Sequence, residues 1–298
     1  ISWGRHSWGA KMDGLQYVSI DGNQHPYSPV HASDNMKEFY RTGSILVNTV
    51  AFTGGTEAIN FRLSISNTES KGVLPSTKLE KNMANLNINA KLGSKITIET
   101  VSQFNNEEVD NRSMAGDANG NPNWIAMLAN TVDAKQLAPG YLSDGFEFQW
   151  NETPYATNPY FVINRYKTND KKNRFIGQAN IKYDIARNLY VKGSINRDFY
   201  SFDYVGIIPT GTQYTSPAGA GEYHGIRSTV AETNSMFTAN YNTKFLKNFN
   251  ANLLAGANRR SFQNNETYID GTQFVLPFFY SYTNMKSLTI TPNNQRSE

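Results

Sequence analysis

Residues 82–91 read NMANLNINAK, a stretch in which apolar and polar side chains alternate one by one from Ala84 onward. Leu86 and Ile88 fall on one side of this alternation, and the asparagines between them fall on the other. Successive side chains of a β-strand point to opposite faces, so the period of two predicts a strand with one apolar face and one face of amides. A short turn at 92–94 follows, and a second alternating stretch, 95–104, comes after it.

The same arrangement of two alternating stretches joined by a short turn occurs four times. The predicted pairs are 44–53 with 60–67, 82–91 with 95–104, 174–184 with 189–200, and 234–242 with 248–258, and a ninth strand is predicted to start at 287–291. Long polar segments with scattered aromatic residues separate the pairs. Strands of about ten residues with alternately short and long connections are typical of an antiparallel transmembrane β-barrel. The alternative is a soluble β-sandwich, in which the apolar faces form a protein core.

Composition excludes several other classes of protein. The 298 residues include no cysteine, so neither a disulfide framework nor a thiolate metal site is expected. The sequence has no run of eighteen apolar residues that would form a transmembrane helix. The formal net charge is only +3 and the basic residues are dispersed, so we expect no nucleic-acid partner.

Residue types that carry catalysis or bind metals occur without the spacing that such sites need. The stretch 117–121 resembles the start of a calcium loop, but its glycine is misplaced and Leu128 stands where the final glutamate would be. The four histidines, His6, His25, His31 and His224, lack the spacing of a zinc site. We therefore predict no catalytic residue, no metal and no cofactor, and expect the chain not to be an enzyme.

Other stretches carry a resemblance to a known family. They are SWGAKMDG at 7–14, DNMKEFYRTG at 34–43, RLSISN at 62–67, KGVLP at 71–75 and NPYFVINR at 158–165. In this order they resemble the post-plug and barrel segments of the SusC/RagA family of TonB-linked outer-membrane proteins of Bacteroidetes. The resemblance implies a 22-stranded barrel closed by a plug, energised through TonB and capped by a SusD-like lipoprotein that opens like a lid.

Compared with the 22-stranded barrel of that family, the chain is expected to be a partial slice of about eight strands. Residues 1–42 would be a post-plug segment and outer loop, and residues 43–298 a partial barrel with long outer loops at 105–173, 200–233 and 259–285. The chain opens on Ile1 without a signal segment, so we expect it to begin inside a larger precursor. The expected partners are the remaining barrel and plug, the TonB complex, membrane lipid and a SusD-like lipoprotein, with such pairs assembled as a dimer in the bacterial outer membrane.

Two sets of residues are candidates for cargo contact. Amides on the lumen side suit sugars or the polar surface of the plug, and these predicted lumen-facing residues are Asn85, Asn87, Asn89, Asn180, Asn240 and Asn242. The loop 105–173 adds aromatic platforms and polar neighbours, and its predicted ligand contacts are Trp124, Trp150, Tyr155, Tyr160, Asn164 and Arg165. Packing within the loop is the alternative role for each aromatic residue, and a short helix is expected at 123–130.

These features together predict part of a SusC-like nutrient importer. An asparagine-rich, neutral lumen favours oligosaccharides as cargo, and a peptide importer of the RagA type is the alternative. A non-transporting adhesin is a further alternative. An enzyme in the barrel wall would require inward carboxylates or a Ser–His pair at matched depth on neighbouring strands, where the predicted strands carry Asn, Thr and Lys.

Overall fold

The computed structural model describes residues 5, 8–29, 34–116, 118–245 and 249–298. It is an all-β protein built on one antiparallel sheet of nine strands, each paired with the next along the chain. The strands of this sheet are β3 Ser44–Gly55, β4 Ile59–Lys71, β5 Lys78–Leu92, β6 Ile96–Asp110, β7 Lys167–Ala186, β8 Leu189–Ile208, β9 Glu222–Phe245, β10 Phe249–Phe274 and β11 Met285–Ser297. The four predicted hairpins and the ninth strand are confirmed.

Smaller elements lie outside the large sheet. A hairpin is formed by β1 Gln16–Val18 and β2 Gln24–Pro26, and the α-helices are α1 Asn35–Phe39 and α2 Pro159–Arg165. Short 3-10 helices span Pro122–Met127, Ala134–Leu137 and Tyr282–Asn284. The helix predicted at 123–130 is thus a 3-10 helix that ends earlier. No helix among the described residues is both long and apolar enough to cross a membrane.

Some of the sequence predictions fall on undescribed positions. Asp117, which begins the calcium-like stretch, lies outside the described residues, as do His6 and His31. Ser7 of the first family-like stretch and the connection 246–248 between β9 and β10 also lie outside them.

The strands are longer than predicted at one end of the sheet. The segments predicted as loops at 105–173, 200–233 and 259–285 shrink to connections at 111–166, 209–221 and 275–284. Residues 167–173 read KTNDKKN and are polar on both faces, so they carry no alternation for the sequence to reveal. Their backbone nevertheless continues the ladder with β8, from Lys167 opposite Ile207 to Asn173 opposite Ser201.

The two ends of the sheet have different connections. At the turn end, tight turns at 56–58, 93–95 and 187–188 join the strands, and Gly93 has a positive φ of 63°. At the opposite, capped end, the strands are joined at 72–77, 111–166, 209–221 and 275–284. We call these four connections, together with residues 8–29 and 34–40, the cap. Short and long connections therefore alternate as predicted.

The apolar face of the sheet is exposed, whereas the polar face is the more buried one. On the apolar face Ile65 is 53% exposed and Phe237 is 54% exposed. On the polar face Asn180 is 9% exposed and Asn240 only 6%. A soluble sandwich would bury its apolar face under a second sheet, and no second sheet covers that face among the described residues. The distribution instead matches a barrel wall with apolar residues outside and polar residues inside.

Candidate functional site

The cap has its own hydrophobic core. It includes Phe39 from α1, Leu74 from the first cap connection and Leu137 and Trp150 from the longest one. Trp150 is fully buried, and its indole Nε1 donates a 2.8 Å hydrogen bond to the carbonyl oxygen of Ala156. The long connection 111–166 is therefore a folded unit with the helix α1 packed into it.

Buried asparagines tie the cap segments together through backbone atoms. Asn35 in α1 donates from Nδ2 to the Val132 carbonyl oxygen, and its Oδ1 accepts the N–H of Ala134, both at 2.8 Å. Asn158 uses Oδ1 to accept the N–H of Tyr160 in the first turn of α2. Its Nδ2 donates to two further carbonyl oxygens of the same connection. Each amide satisfies backbone groups that a loop would otherwise bury unpaired.

Glu147 connects the long cap connection to its neighbour. One carboxylate oxygen accepts the N–H of Asn158 at 2.7 Å, and the other accepts the N–H of Gln213, from the connection 209–221, at 3.0 Å. The side chain is only 4% exposed, and no cation forms an ion pair with it among the described residues. Burial raises the pKa of the Glu147 carboxyl to about 7, and the two backbone hydrogen bonds offset that rise in part.

An aromatic row crosses from one cap connection to the next. Trp124 meets Tyr155 edge to face with 6.1 Å between ring centroids, and Tyr155 meets Tyr214 in the same way at 4.9 Å. Tyr214 is 52% exposed, and its carbonyl oxygen accepts a 2.9 Å hydrogen bond from the Asn119 amide. The Trp124 indole N–H is buried and lacks a hydrogen-bond partner among the described residues. Exposed aromatic faces of this kind can stack on sugar rings or on peptide side chains.

The remaining predicted ligand residues lie elsewhere in the cap. Tyr160 packs edge to face on Phe39 at 5.2 Å, next to the core. Asn164 is exposed and donates to the Pro139 carbonyl oxygen at 3.0 Å. The guanidinium of Arg165 lies over the ring of Tyr141, 3.9 Å from its centroid. The structure therefore brings together Trp124 and Tyr155, but it does not gather the six predicted contacts into one site.

The six predicted lumen-facing asparagines share one face of the sheet. The register places all of them on the side opposite to Ile65 and Phe237. Several are linked in amide ladders: Asn242 donates to Asn240, and Asn240 donates to Asn252, both at 2.9 Å. Asn89 donates to Asn60 at 3.1 Å.

The same polar face also carries charged side chains in ion pairs, so it is not lined by uncharged amides alone. Arg174 donates from Nε to Asp198 at 2.9 Å, and Arg260 donates to both carboxylate oxygens of Glu232 at 2.7 and 2.9 Å. Asp198 and Glu232 lie directly opposite each other on β8 and β9. The expectation that these strands carry only Asn, Thr and Lys at matched depth is therefore wrong. Asp198 and Glu232 are both inward carboxylates, and an arginine binds each of them.

Comparison with solved structures identifies this fold. The RagAB peptide importer in its "closed-closed" state matches with a TM-score of 0.69 at 12% sequence identity, over 95% of this chain and 31% of that chain. The RagAB peptide transporter matches at 0.70 and 12% identity over 89% and 30%, and the importer in its "open-open" state at 0.69 and 13% over 89% and 29%. No protein-family model and no curated protein sequence matches the chain.

This similarity concerns the fold, because the sequences share too few residues to carry over any function. The chain spans less than a third of the length of those solved chains. The large antiparallel sheet predicted from hydrophobic alternation thus corresponds to part of a RagA-type barrel.

Sequence reasoning missed Tyr214 and Glu147. The only local signal for Tyr214 was an aromatic residue in the polar connection GTQYTSPAG at 211–219. Glu147 stands between two phenylalanines, in FEF at 146–148, and a lone acid in an apolar setting is a weak sign of burial. Only the packing of 209–221 against the long connection explains both positions.

Proposed function

We propose that this chain forms part of the barrel wall and outer cap of a TonB-dependent nutrient importer in a bacterial outer membrane. The observation that carries the proposal is the inverted distribution of side chains in a RagA-like sheet. Apolar residues such as Ile65 are exposed, and polar residues such as Asn240 are buried. Such a sheet needs lipid on one side and a polar lumen or plug on the other.

Further strands of the same barrel would complete the sheet. The edge strands β3 and β11 have one side unpaired among the described residues. Unpaired backbone N–H and C=O groups are costly in lipid, so additional strands at both edges fit the proposal. The plug and the TonB-contacting segment would act from outside the chain described here.

A SusD-like lipoprotein is the proposed partner above the cap, with two such pairs forming a dimer. The cap is a folded surface rather than a set of separate loops, because its core and the Glu147 contact join three connections into one unit. A rigid platform at the mouth of a barrel suits a lid that has to dock and release repeatedly.

For the cargo we propose peptides rather than oligosaccharides. The sequence argument for sugars rested on a neutral lumen, and the ion pairs Arg174–Asp198 and Arg260–Glu232 remove that ground. Paired charges can exchange partners with the termini and charged side chains of a peptide. The solved neighbours are named as peptide importers, which agrees with this proposal. An oligosaccharide importer is the alternative.

We propose the aromatic row Trp124–Tyr155–Tyr214 as the first cargo contact. Two of its members are predicted ligand residues, and its outermost ring is exposed at the junction of two cap connections. Trp150 is withdrawn from the ligand set because its ring has no accessible surface. The function requires no chemistry at Asp198 or Glu232, so we retain the expectation that the chain is not an enzyme.

The test is to purify the intact protein from its native membrane in detergent and identify everything bound to it by mass spectrometry. We expect a lipoprotein and a mixture of short peptides. Oligosaccharides in place of peptides would support the alternative cargo. Binding of a host macromolecule with no uptake of either cargo would support an adhesin.

A pair of variants addresses the aromatic row. Tyr155→Ala combined with Tyr214→Ala should weaken cargo binding about tenfold, since each aromatic contact contributes about 0.5–1.5 kcal/mol. Trp8→Ala is the matched control, because this ring is 95% exposed and makes none of the ring contacts of the row. Equal cargo affinity in both variants would remove the row from the binding site.

A further inference from the structure

The polar face of the sheet carries an apolar patch below the cap. Tyr200, Phe202 and Tyr204 follow one another on that face of β8, because alternate residues of a strand share a face. On β9, Val230 lies directly opposite Tyr200 and Ile226 directly opposite Tyr204. We call these five residues the lumen patch. Each of them is partly exposed, so the patch is accessible on the polar face.

The two faces of the sheet exchange their polarity at the level of the lumen patch. Nearer the turn end, β8 has the apolar Ile195 outward and the polar Asn196 inward, as a wall against lipid requires. Beside the patch the outward side chains of β8 and β9 are instead polar, namely Ser201, Asp203, Arg227 and Thr229. A polar outer face belongs in water, so this part of the proposed barrel lies above the lipid. Its apolar side chains face the lumen.

The lumen patch is not part of the packed interior of the protein. None of its five side chains belongs to a hydrophobic core among the described residues. Covering such a surface with an apolar partner lowers the free energy, because water is released from both. In the proposed importer, a position inside the barrel and below the cap lies on the route that cargo takes.

Charged groups border the lumen patch on the side of the turn end. The Lys172 ammonium lies over the Tyr200 ring, 4.4 Å from its centroid. Asp198 lies two residues before Tyr200 on β8, and Glu232 lies two residues after Val230 on β9. Both carboxylates line an open depression next to the patch, and an arginine binds each of them. An apolar surface beside paired charges is complementary to a peptide, which combines apolar side chains with charged termini.

The spacing within the lumen patch also fits a peptide. Successive aromatic residues of β8 are roughly 6.6 Å apart, from two residues at about 3.3 Å each. Alternate side chains of an extended peptide have the same spacing. Ile226 and Val230, across from the rings, have no side-chain group that could form a hydrogen bond with a sugar hydroxyl. The patch therefore suits hydrocarbon side chains better than sugars.

We propose that the lumen patch binds apolar side chains of the imported peptide, at alternate positions along the peptide chain. The peptide would run beside β8, with a charged terminus at the depression that Asp198 and Glu232 line and its apolar side chains on the rings. The aromatic row of the cap would contact the cargo first, and the lumen patch would hold it below the cap. This inference rests on the proposed peptide cargo and adds the kind of side chain that the importer selects.

The test measures the binding of two synthetic peptides to the intact protein, purified in detergent. Ala-Phe-Ala-Phe-Ala and Ala-Ser-Ala-Ser-Ala have the same length and the same terminal charges. The wild type should bind the phenylalanine peptide about tenfold more tightly, the effect of one or two aromatic contacts. Tyr200→Ala combined with Phe202→Ala should remove most of this preference. Tyr200→Phe combined with Phe202→Tyr keeps both rings and should retain it.

The matched control is Tyr190→Ala, on the same face of β8 but nearer the turn end. Tyr190 also has a lysine over its ring, with the Lys182 ammonium 4.7 Å from the centroid, and its replacement should leave the preference unchanged. Equal affinity of the wild type for the two peptides would overturn the inference, as would an unchanged preference in the Tyr200/Phe202 alanine variant. Binding of an oligosaccharide and of neither peptide would overturn the proposed peptide cargo itself, so the two failures are distinguishable.

Discussion

Asp198 on β8 lies directly opposite Glu232 on β9, and a different arginine binds each carboxylate. Two carboxylates at matched depth on neighbouring strands are the arrangement that an enzyme in a barrel wall would need. Here Arg174 and Arg260 each donate two hydrogen bonds to their partner, which occupies the carboxylate oxygens. The four residues lie on four neighbouring strands: one ion pair joins β7 to β8, the other joins β9 to β10, and the charges face the polar side of the sheet.

Removing one arginine should expose the repulsion between the two carboxylates. Arg174→Gln is expected to lower the free energy of unfolding by about 0.5–1 kcal/mol, a small value because the pair is partly exposed to solvent. Adding Asp198→Asn to this variant should restore part of the loss. A double-mutant cycle on the intact protein in detergent, followed by thermal unfolding, gives the coupling energy. Additive losses in the double variant would contradict the ion pair.

Glu147 should make the stability of the cap depend on pH. Its pKa is raised from 4.5 to about 7 in the folded protein, so between these values the folded state binds more protons than the unfolded state. The contribution is most favourable below pH 4.5 and is lost as the pH rises to about 7. The shift corresponds to about 3 kcal/mol at most. The nearby Tyr166 stays neutral throughout, because burial raises its pKa well above the usual range.

Limited proteolysis of the cap at pH 5 and pH 8 measures this dependence. Wild-type protein should be cleaved faster at pH 8, whereas Glu147→Gln should lose most of the difference. Glu57→Gln, at an exposed position in the first tight turn, is the matched control and should behave as the wild type. Identical pH profiles for wild type and Glu147→Gln would show that the carboxyl does not contribute.

Replacing Trp150 or Trp8 by alanine should have very different effects on the stability of the cap. Trp150→Ala removes a fully buried ring and its hydrogen bond to Ala156, and should cost the cap about 3–5 kcal/mol. Trp8→Ala should cost nothing measurable, since the ring is 95% exposed. Hydrogen exchange of the connection 111–166 in the intact protein is the measurement. Unchanged protection in Trp150→Ala would contradict the cap core.

A charge on the apolar face distinguishes lipid from water. Ile65→Arg would be almost neutral if its exposed side chain met water, but should cost about 2–4 kcal/mol if it lies near the middle of a bilayer. Val73→Arg is the control, because Val73 is similarly exposed, at 56%, in the cap connection 72–77. The fraction of intact protein assembled in the membrane reports the difference. Equal assembly of both variants would argue against the lipid-facing side.

The hairpins could be predicted from sequence because their signal is local. From Ala84 to Ala90 every second residue is apolar, and this period alone defines the strand and its two faces. Strand length could not be predicted in the same way. At 167–173 both faces are polar, and these residues join the sheet only because the backbone of β8 continues beside them.

The candidate ligand contacts show the same contrast between what a local sequence pattern reveals and what packing decides. Trp124 and Trp150 lie in the same aromatic-rich connection, and the sequence alone gave both the same prediction, a ligand contact. Burial separates them: Trp150 fills the core beside Phe39, whereas Trp124 starts the row that reaches Tyr214. The partner of a side chain that is distant along the sequence depends on how the connections pack.

The sequence by itself determined an antiparallel sheet with one apolar and one polar face, because side-chain alternation is a property of each strand alone. Only the tertiary structure decided which carboxylates meet, since the pairing of Asp198 with Glu232 depends on the register between β8 and β9. It also decided that Glu147 is buried, because its second hydrogen-bond donor comes from Gln213 in another connection. The carboxylate pairing and the burial of Glu147 both depend on contacts between segments that are far apart in the sequence, and no local sequence pattern reveals such contacts.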